Sequence, residues 1–142
     1  MIHSVLVVCM GNICRSPVAE RQLALLLPLL RVRSAGLIAI PGQPADSTMI
    51  SLAEEKGVNL RNHYSQKFTL SMGYDHDLIL VMDSEQLALI NARFPQISGK
   101  SRLLSYWLGS PDIPDPYKKS NEYYRVVYQL ITESVDTWKH AL

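Results

Sequence analysis

Charge is what this chain has little of. Asp, Glu, Lys and Arg make up 19% of its 142 residues, below the ~25% of an ordinary globular domain. That scarcity argues against a disordered chain. The charges also do not lean to one sign. Fourteen basic residues face thirteen acidic ones, a formal net charge of +1. No global field recruits nucleic acid, so no nucleic-acid partner is expected, and any anion site must be local. Cysteine is equally scarce. Cys9 and Cys14 are the whole supply, too few for a disulfide scaffold or a four-cysteine zinc site. His3, His76 and His140 lack metal-ligand spacing, so neither metal nor other cofactor is expected.

Long apolar runs are missing too. The longest stretch free of Asp, Glu, Lys and Arg is Met1 to Cys14, and His3, Ser4, Gly11 and Asn12 interrupt it. A membrane span needs about 18–20 apolar residues. No basic segment followed by an apolar core opens the chain, and residue 2 is Ile, not the Gly that myristoylation requires. These absences predict a soluble, cytoplasmic protein with no membrane insertion. Apolar residues are 47% of the chain, enough for one core. No linker, repeat or low-complexity tract divides it, so residues 1–142 are expected to form one domain.

Ser4 to Val8 is a nearly continuous β-branched run, the pattern of a strand buried on both faces. Ser16 can cap a helix with Pro17 at its first position. Val18, Leu23, Leu26, Leu27 and Leu30 follow near helical spacing until Pro28 ends the helix. Val32 to Ala35 reads as a second strand, Gly36 to Asp46 as a loop, and Ser47 to Lys56 as a helix closed by Gly57. Asp77 to Met82 is a third strand. Asp83 or Ser84 caps a helix that runs to about Phe94, where Pro95 stops it. Lys100 to Leu104 is a fourth strand, and Ser105 to Ser120 is a loop with Pro111, Pro114 and Pro116. Tyr124, Val127, Tyr128, Ile131, Val135, Trp138 and Leu142 form one apolar stripe of a last helix. Strands alternating with helices predict an α/β fold with a four-stranded parallel sheet flanked by helices. Ligands of such folds sit at the carboxyl ends of strands.

One such end carries chemistry. The first strand runs into Cys9-Met10-Gly11-Asn12-Ile13-Cys14-Arg15-Ser16-Pro17. A strand, a tight loop and a helix start make an anion site, because loop N–H groups converge and the helix dipole adds positive charge. The single glycine and the missing Gly-Lys-Ser/Thr exclude a Walker loop. Cys9 at a helix start beside Arg15 is expected to be a thiolate near neutral pH, as comparable sites lower a thiol pKa from ~8.5 to ~3.5–7.5. Arg15 can reach two oxygens of a phosphate, and Ser16 can donate to the thiolate. Met10, Gly11, Asn12, Ile13, Cys14, Arg15 and Ser16 are the expected phosphate cradle. Cys14 is either a packed thiol or a resolving partner of Cys9, since five residues of curled loop can close the ~4.4–6.8 Å that a disulfide requires. An aryl ester leaving group needs a general acid. The proline-rich loop offers Asp112 and Asp115, of which Asp115 sits in Asp-Pro-Tyr.

The segment Val8 to Pro17 resembles the signature of low-molecular-weight protein tyrosine phosphatases. Ser34-Ala35-Gly36, Pro44-Ala45-Asp46, Asp77 to Asp83 and Ile113-Pro114-Asp115-Pro116-Tyr117 extend the likeness over the whole chain. The resemblance implies the Rossmann-like phosphotyrosine phosphatase I fold and hydrolysis of protein phosphotyrosine. It makes Cys9 the nucleophile, Arg15 the phosphate clamp and Asp115, rather than Asp112, the acid and base. It puts Asn12, Ser16, Ser34 and His63 in a network that supports the loop, although His63 by itself reads as a surface histidine. It places Ile13, Ile40 and Tyr117 in the substrate cleft; Ile40 stands where the eukaryotic branch carries an aromatic residue. The flavour is that of the bacterial branch linked to capsule and exopolysaccharide export, which implies a phosphotyrosine protein, a tyrosine autokinase, as partner. One departure follows His63: the family often continues His-x-Ala-Arg-Gln, whereas this chain reads His63-Tyr64-Ser65-Gln66-Lys67. Three other functions compete. A thioredoxin-coupled arsenate reductase needs cysteines beyond Cys14, and there are none. A non-catalytic phosphotyrosine-binding module need not keep both Cys9 and Asp115. A phosphocysteine carrier that passes its phosphate to sugar needs no acid in an Asp-Pro-Tyr loop.

Overall fold

The computed structural model describes residues 1–142. The first strand, β1 (Ser4–Cys9), is buried at every position. Its side chains alternate between two apolar clusters, as a period of two requires. Val5, Val7 and Cys9 join one cluster, and Leu6 and Val8 join the other. Burial on both faces gains about 1.5–3 kcal/mol per large apolar side chain, which is why this apolar segment takes a central place in the sheet. Helix α1 (Arg15–Leu26) leads to β2 (Arg31–Gly36), and α2 (Ser47–Glu55) and the short α3 (Leu70–Tyr74) lead to β3 (Leu78–Val81). After α4 (Ser84–Arg93) come β4 (Ser101–Leu103) and α5 (Asn121–Trp138). The sheet order is β2-β1-β3-β4, and every pair is parallel. Its register sets Cys9 beside Gly36 and Val8 beside Val81. The carboxyl ends of the three left-hand strands are therefore level, and the loops after them meet. No helix is long and apolar enough to cross a membrane.

The elements expected from sequence are present, with shifted ends and three differences. Ser16 does not cap α1. The cap position is Cys14, with no side-chain cap bond, because the Ser16 hydroxyl is committed elsewhere. Helix α3 carries too short an apolar pattern to stand out; Thr69 caps it by accepting from the Met72 N–H at 3.2 Å. The apolar stripe of α5 holds from Tyr124 to Trp138, all buried, while Leu142 lies past the helix end. Of the two expected caps for α4, Asp83 serves, accepting from Gln86 N–H at 2.8 Å. Asp46 caps α2 by accepting from Met49 N–H at 3.0 Å, and Ser120 caps α5 by accepting from Tyr123 N–H at 3.2 Å. Each such cap stabilises by about 1 kcal/mol.

Candidate active site

Residues 10–14 turn from β1 into α1 over the end of β2. The turn is tight enough to exclude a side chain at Gly36, where a Cβ would lie 2.6 Å from the Met10 carbonyl oxygen and 2.9 Å from the Asn12 nitrogen. Asn12 takes φ 59°, a left-handed conformation that Asn tolerates better than most residues. Its side chain is fixed at both ends. Nδ2 donates to Ser16 Oγ at 2.8 Å and to Ser34 Oγ at 3.0 Å, and Oδ1 accepts from the Gln66 N–H at 2.9 Å. Ser34 in turn donates to Glu20, and Gln66 Nε2 donates to the Ser34 carbonyl at 2.8 Å. His63 Nε2–H donates to the Asn12 carbonyl at 2.6 Å. The network thus joins Asn12, Ser16, Ser34 and His63, and adds Glu20 and Gln66. Gln66 lies in the stretch where the sequence departs from the family pattern; it works partly through its backbone, which no side-chain pattern reveals.

Burial lowers the pKa of His63, and that of His76, whose Nδ1–H donates to the Met72 carbonyl at 2.7 Å. Both rings stay neutral in the folded protein below the ~6.5 at which an unfolded histidine titrates. As pH falls through about 6.5 the unfolded chain takes up protons first, so stability is full above that value and is lost toward the lower folded pKa values. Urea midpoints are expected to be level above pH 7 and to fall between about pH 6.5 and 5. His76→Gln should flatten part of that slope; an unchanged slope would show that His76 is not its source.

The network delivers Ser16 to Cys9. The Ser16 oxygen accepts from Asn12, so its own hydrogen points at Cys9 Sγ, 2.9 Å away. The Asn12 N–H donates to the same sulfur at 3.3 Å. The N–H groups of Gly11, Ile13 and Cys14 make no hydrogen bond within the protein. At the foot of a helix, such free donors suit an anion. Cys14, in contrast, is 4% exposed. Burial, helped by the carboxylates of Asp46 and Asp115 and by Cys9, pushes its thiol pKa far above the usual range, against the pull of Arg15. Both cysteines are free thiols.

Arg15 is 3% exposed and is held from one side only. Its Nη1 donates to Asp83 Oδ2 at 3.1 Å and to the Ile113 carbonyl at 2.8 Å. Nε and Nη2 remain for a bound oxyanion, the two-pronged geometry that phosphate matches. Asp83 was legible only as a helix cap. One of its oxygens caps α4 and the other fixes Arg15.

A cleft of about 280 Å³ opens over this loop, lined by Cys9, Met10, Gly11, Ile13, Cys14, Arg15, Ile38, Asp115 and Tyr117. Larger clefts, about 450 Å³ between α1 and α5 and about 480 Å³ around the chain ends, hold no cysteine. Ile40 is not in the lining; its side chain is 70% exposed while its carbonyl accepts from Ser65 Oγ. Ile38 is in the lining, and its N–H donates to the Met10 carbonyl at 3.0 Å, which ties that residue to the loop. The two candidate acids separate cleanly. Asp112 accepts from the Ser84 N–H at 2.8 Å and from Ser84 Oγ at 3.1 Å, at the start of α4. Asp115 stands in the cleft wall, with one oxygen accepting from the Tyr117 N–H at 3.1 Å.

Comparison with known proteins agrees with this geometry. Residues 4–142 match the family described as low molecular weight phosphotyrosine protein phosphatase. The chain is 44% identical over 142 residues to the probable low molecular weight protein-tyrosine-phosphatase AmsI of Erwinia amylovora, covering 100% of this chain and 99% of that one. It superposes on Vibrio vulnificus Wzb in complex with benzylphosphonate with a TM-score of 0.97, at 42% identity and with 100% of both chains covered. The YwlE arginine phosphatase from Geobacillus stearothermophilus is more distant, with a TM-score of 0.91 and 30% identity over 98% of this chain and 92% of that one. A match of this length and strength establishes that the chain belongs to the low molecular weight phosphotyrosine protein phosphatase family.

Proposed function

We propose that the protein hydrolyses phosphotyrosine in a protein substrate through a phosphocysteine. The observation that carries this reading is a buried sulfur, held by Ser16 and Asn12, in a cleft that also contains the free side of Arg15 and the carboxylate of Asp115. In the first step Cys9 Sγ attacks phosphorus in line, and an S–P bond forms as the P–O bond to the tyrosine ring breaks. Asp115 gives its proton to the departing phenolate oxygen. Arg15 and the loop N–H groups hold the equatorial oxygens while charge redistributes. In the second step Asp115 takes a proton from water, whose oxygen attacks phosphorus. Inorganic phosphate leaves, and Cys9 returns as the thiolate that the Ser16 hydroxyl stabilises. Ile13, Ile38 and Tyr117 give the cleft apolar walls suited to an aryl ring, and benzylphosphonate in the Vibrio vulnificus relative is a ligand of that shape. Phosphoserine is too short to bring its phosphorus to a sulfur at the bottom of such a slot. No metal has a part in these steps.

The resemblance to the bacterial branch linked to capsule and exopolysaccharide export supports, as the physiological substrate, a tyrosine autokinase dephosphorylated in the cytoplasm. A general phosphatase of protein phosphotyrosine is the broader alternative. The test is phosphate release from peptides that carry phosphotyrosine, phosphoserine or phosphoarginine at one position, with and without chelator. Phosphotyrosine should exceed both others by about 100-fold or more, with no effect of chelator. Equal or faster release from phosphoarginine would move the protein to the specificity named for its YwlE relative. A Cys9→Ser protein used to trap substrates in its own host should retain a tyrosine-phosphorylated kinase.

Cys14 belongs to the same proposal as a guard of Cys9. Peroxide would oxidise Cys9 to a sulfenic acid, and the Cys14 thiol would displace its hydroxyl, forming an S–S bond and releasing water. The high pKa of Cys14 makes that displacement slow. Mild peroxide should nevertheless give a Met1–Arg15 peptide with a Cys9–Cys14 bond that thiols reverse. Sulfonic acid at Cys9 beside a reduced Cys14 would overturn it.

A further inference from the structure

Pro116 to Lys119 form a β-turn, closed by the Lys119 N–H donating to the Pro116 carbonyl at 2.9 Å. Its third residue, Lys118, has φ 62°. Turns with a left-handed third residue favour Gly or Asn there. Lysine lacks the freedom of the first and the local hydrogen bonds of the second. Left-handed residues of this kind persist where the side chain is useful, and they concentrate at functional sites. The turn follows Asp115 directly and contains Tyr117, a wall of the cleft.

The Lys118 side chain lies over that wall. Its Nζ is 5.5 Å from the centroid of the Tyr117 ring, within reach of a cation–π contact. The protein has five ion pairs, and none includes Lys118. Arg15, the cation inside the cleft, is buried against Asp83. Lys118 is exposed and is not part of the cleft lining. It is therefore a positive charge outside every ion pair, beside the Tyr117 ring that walls the cleft.

We propose that Lys118 is a specificity residue that reads an acidic side chain flanking the phosphotyrosine of a protein substrate. The inference rests on the phosphatase reading and deepens it: the loop selects the phosphoryl group, and the rim selects its neighbours. A small aryl phosphate has no flanking residues and does not sense Lys118. A carboxylate next in chain to the phosphotyrosine meets the ammonium on the Tyr117 ring, in an exposed and salt-sensitive contact.

Three phosphotyrosine peptides test this, flanked by Glu, Ala or Lys, against the wild type, Lys118→Gly and Lys118→Glu, with p-nitrophenyl phosphate as reference. The Lys118→Gly change suits the turn and should leave the melting temperature equal or higher. Wild type is expected to favour the Glu peptide over the Ala peptide about three- to five-fold, through KM, and to lose that preference in ~0.5 M salt. Lys118→Gly should treat the two alike, and Lys118→Glu should favour the Lys peptide. An unchanged ranking in both variants would overturn the proposal, as would an equal loss on p-nitrophenyl phosphate, which would make Lys118 part of the general machinery. Failure of the wild type to hydrolyse any of the four substrates would instead overturn the phosphatase reading itself.

Discussion

Cys9→Ser is expected to abolish release of phosphate from p-nitrophenyl phosphate, with a loss of about four orders of magnitude or more. The size follows from what the sulfur does. A serine hydroxyl at that position has no base to activate it: Ser16 directs a hydrogen toward it, and Asn12 directs an N–H. Those donors suit an anionic sulfur; they would favour an alkoxide as well, but far too weakly to ionise an alcohol at neutral pH. The same donors can hold a serine oxygen, so the fold should survive and the melting temperature should move little. Arg15 and its supports are untouched. Affinity for a phosphotyrosine peptide, read by calorimetry, should persist while turnover vanishes. A variant that keeps a tenth of its turnover would remove Cys9 from the mechanism and leave another nucleophile.

The second large effect separates two carboxylates three residues apart. Asp115→Asn should lower kcat on phenyl phosphate by about 10²- to 10⁴-fold, the usual contribution of a general acid. The loss should be smaller on p-nitrophenyl phosphate, whose leaving group needs little protonation. Asparagine still accepts from the Tyr117 N–H, so the turn is kept and only the proton is lost. Asp112→Asn should leave kcat within about two-fold. It removes a negative charge from the start of α4, where Asp112 faces the Ser84 N–H, and such charges contribute about 0.3–1 kcal/mol of stability. Equal small effects on turnover from both changes would remove Asp115 as the acid.

The contrast shows which parts of the site could be read from sequence. Cys9, Arg15 and Ser16 lie within eight residues at a strand-to-helix junction, and local spacing is enough to see them. The sheet is legible for the same reason: Val5 to Val8 and Leu78 to Val81 are apolar without interruption. Asp83, Gln66 and Glu20 were not legible as site residues. Asp83 and Gln66 reach the loop from 68 and 54 positions away, and Glu20, though close to the loop in the chain, reaches it only through Ser34, 14 positions further on; nothing near them in the chain marks these meetings. Ser16 was misread as a cap because capping and donation to sulfur demand the same residue type. Ile38 was not legible as a cleft wall, since the path of the chain after Gly36 depends on a backbone bond to Met10 that side chains do not encode. Asp112 and Asp115 are told apart in the sequence only by the Asp-Pro-Tyr context and the family resemblance; the fold adds the physical reason, with one at a helix start and the other in a cleft wall.

Asp83 spends one oxygen on the start of α4 and the other on Arg15. Durability and affinity are therefore linked through a single carboxylate. A replacement without a side-chain acceptor, such as Asp83→Ala, loosens a helix and frees the phosphate clamp in one step, so melting temperature and KM should move together there. Asp83→Asn can keep the cap while giving up the ion pair, and so separates the two. A designer seeking a sturdier protein would do better to begin at the far end of α4.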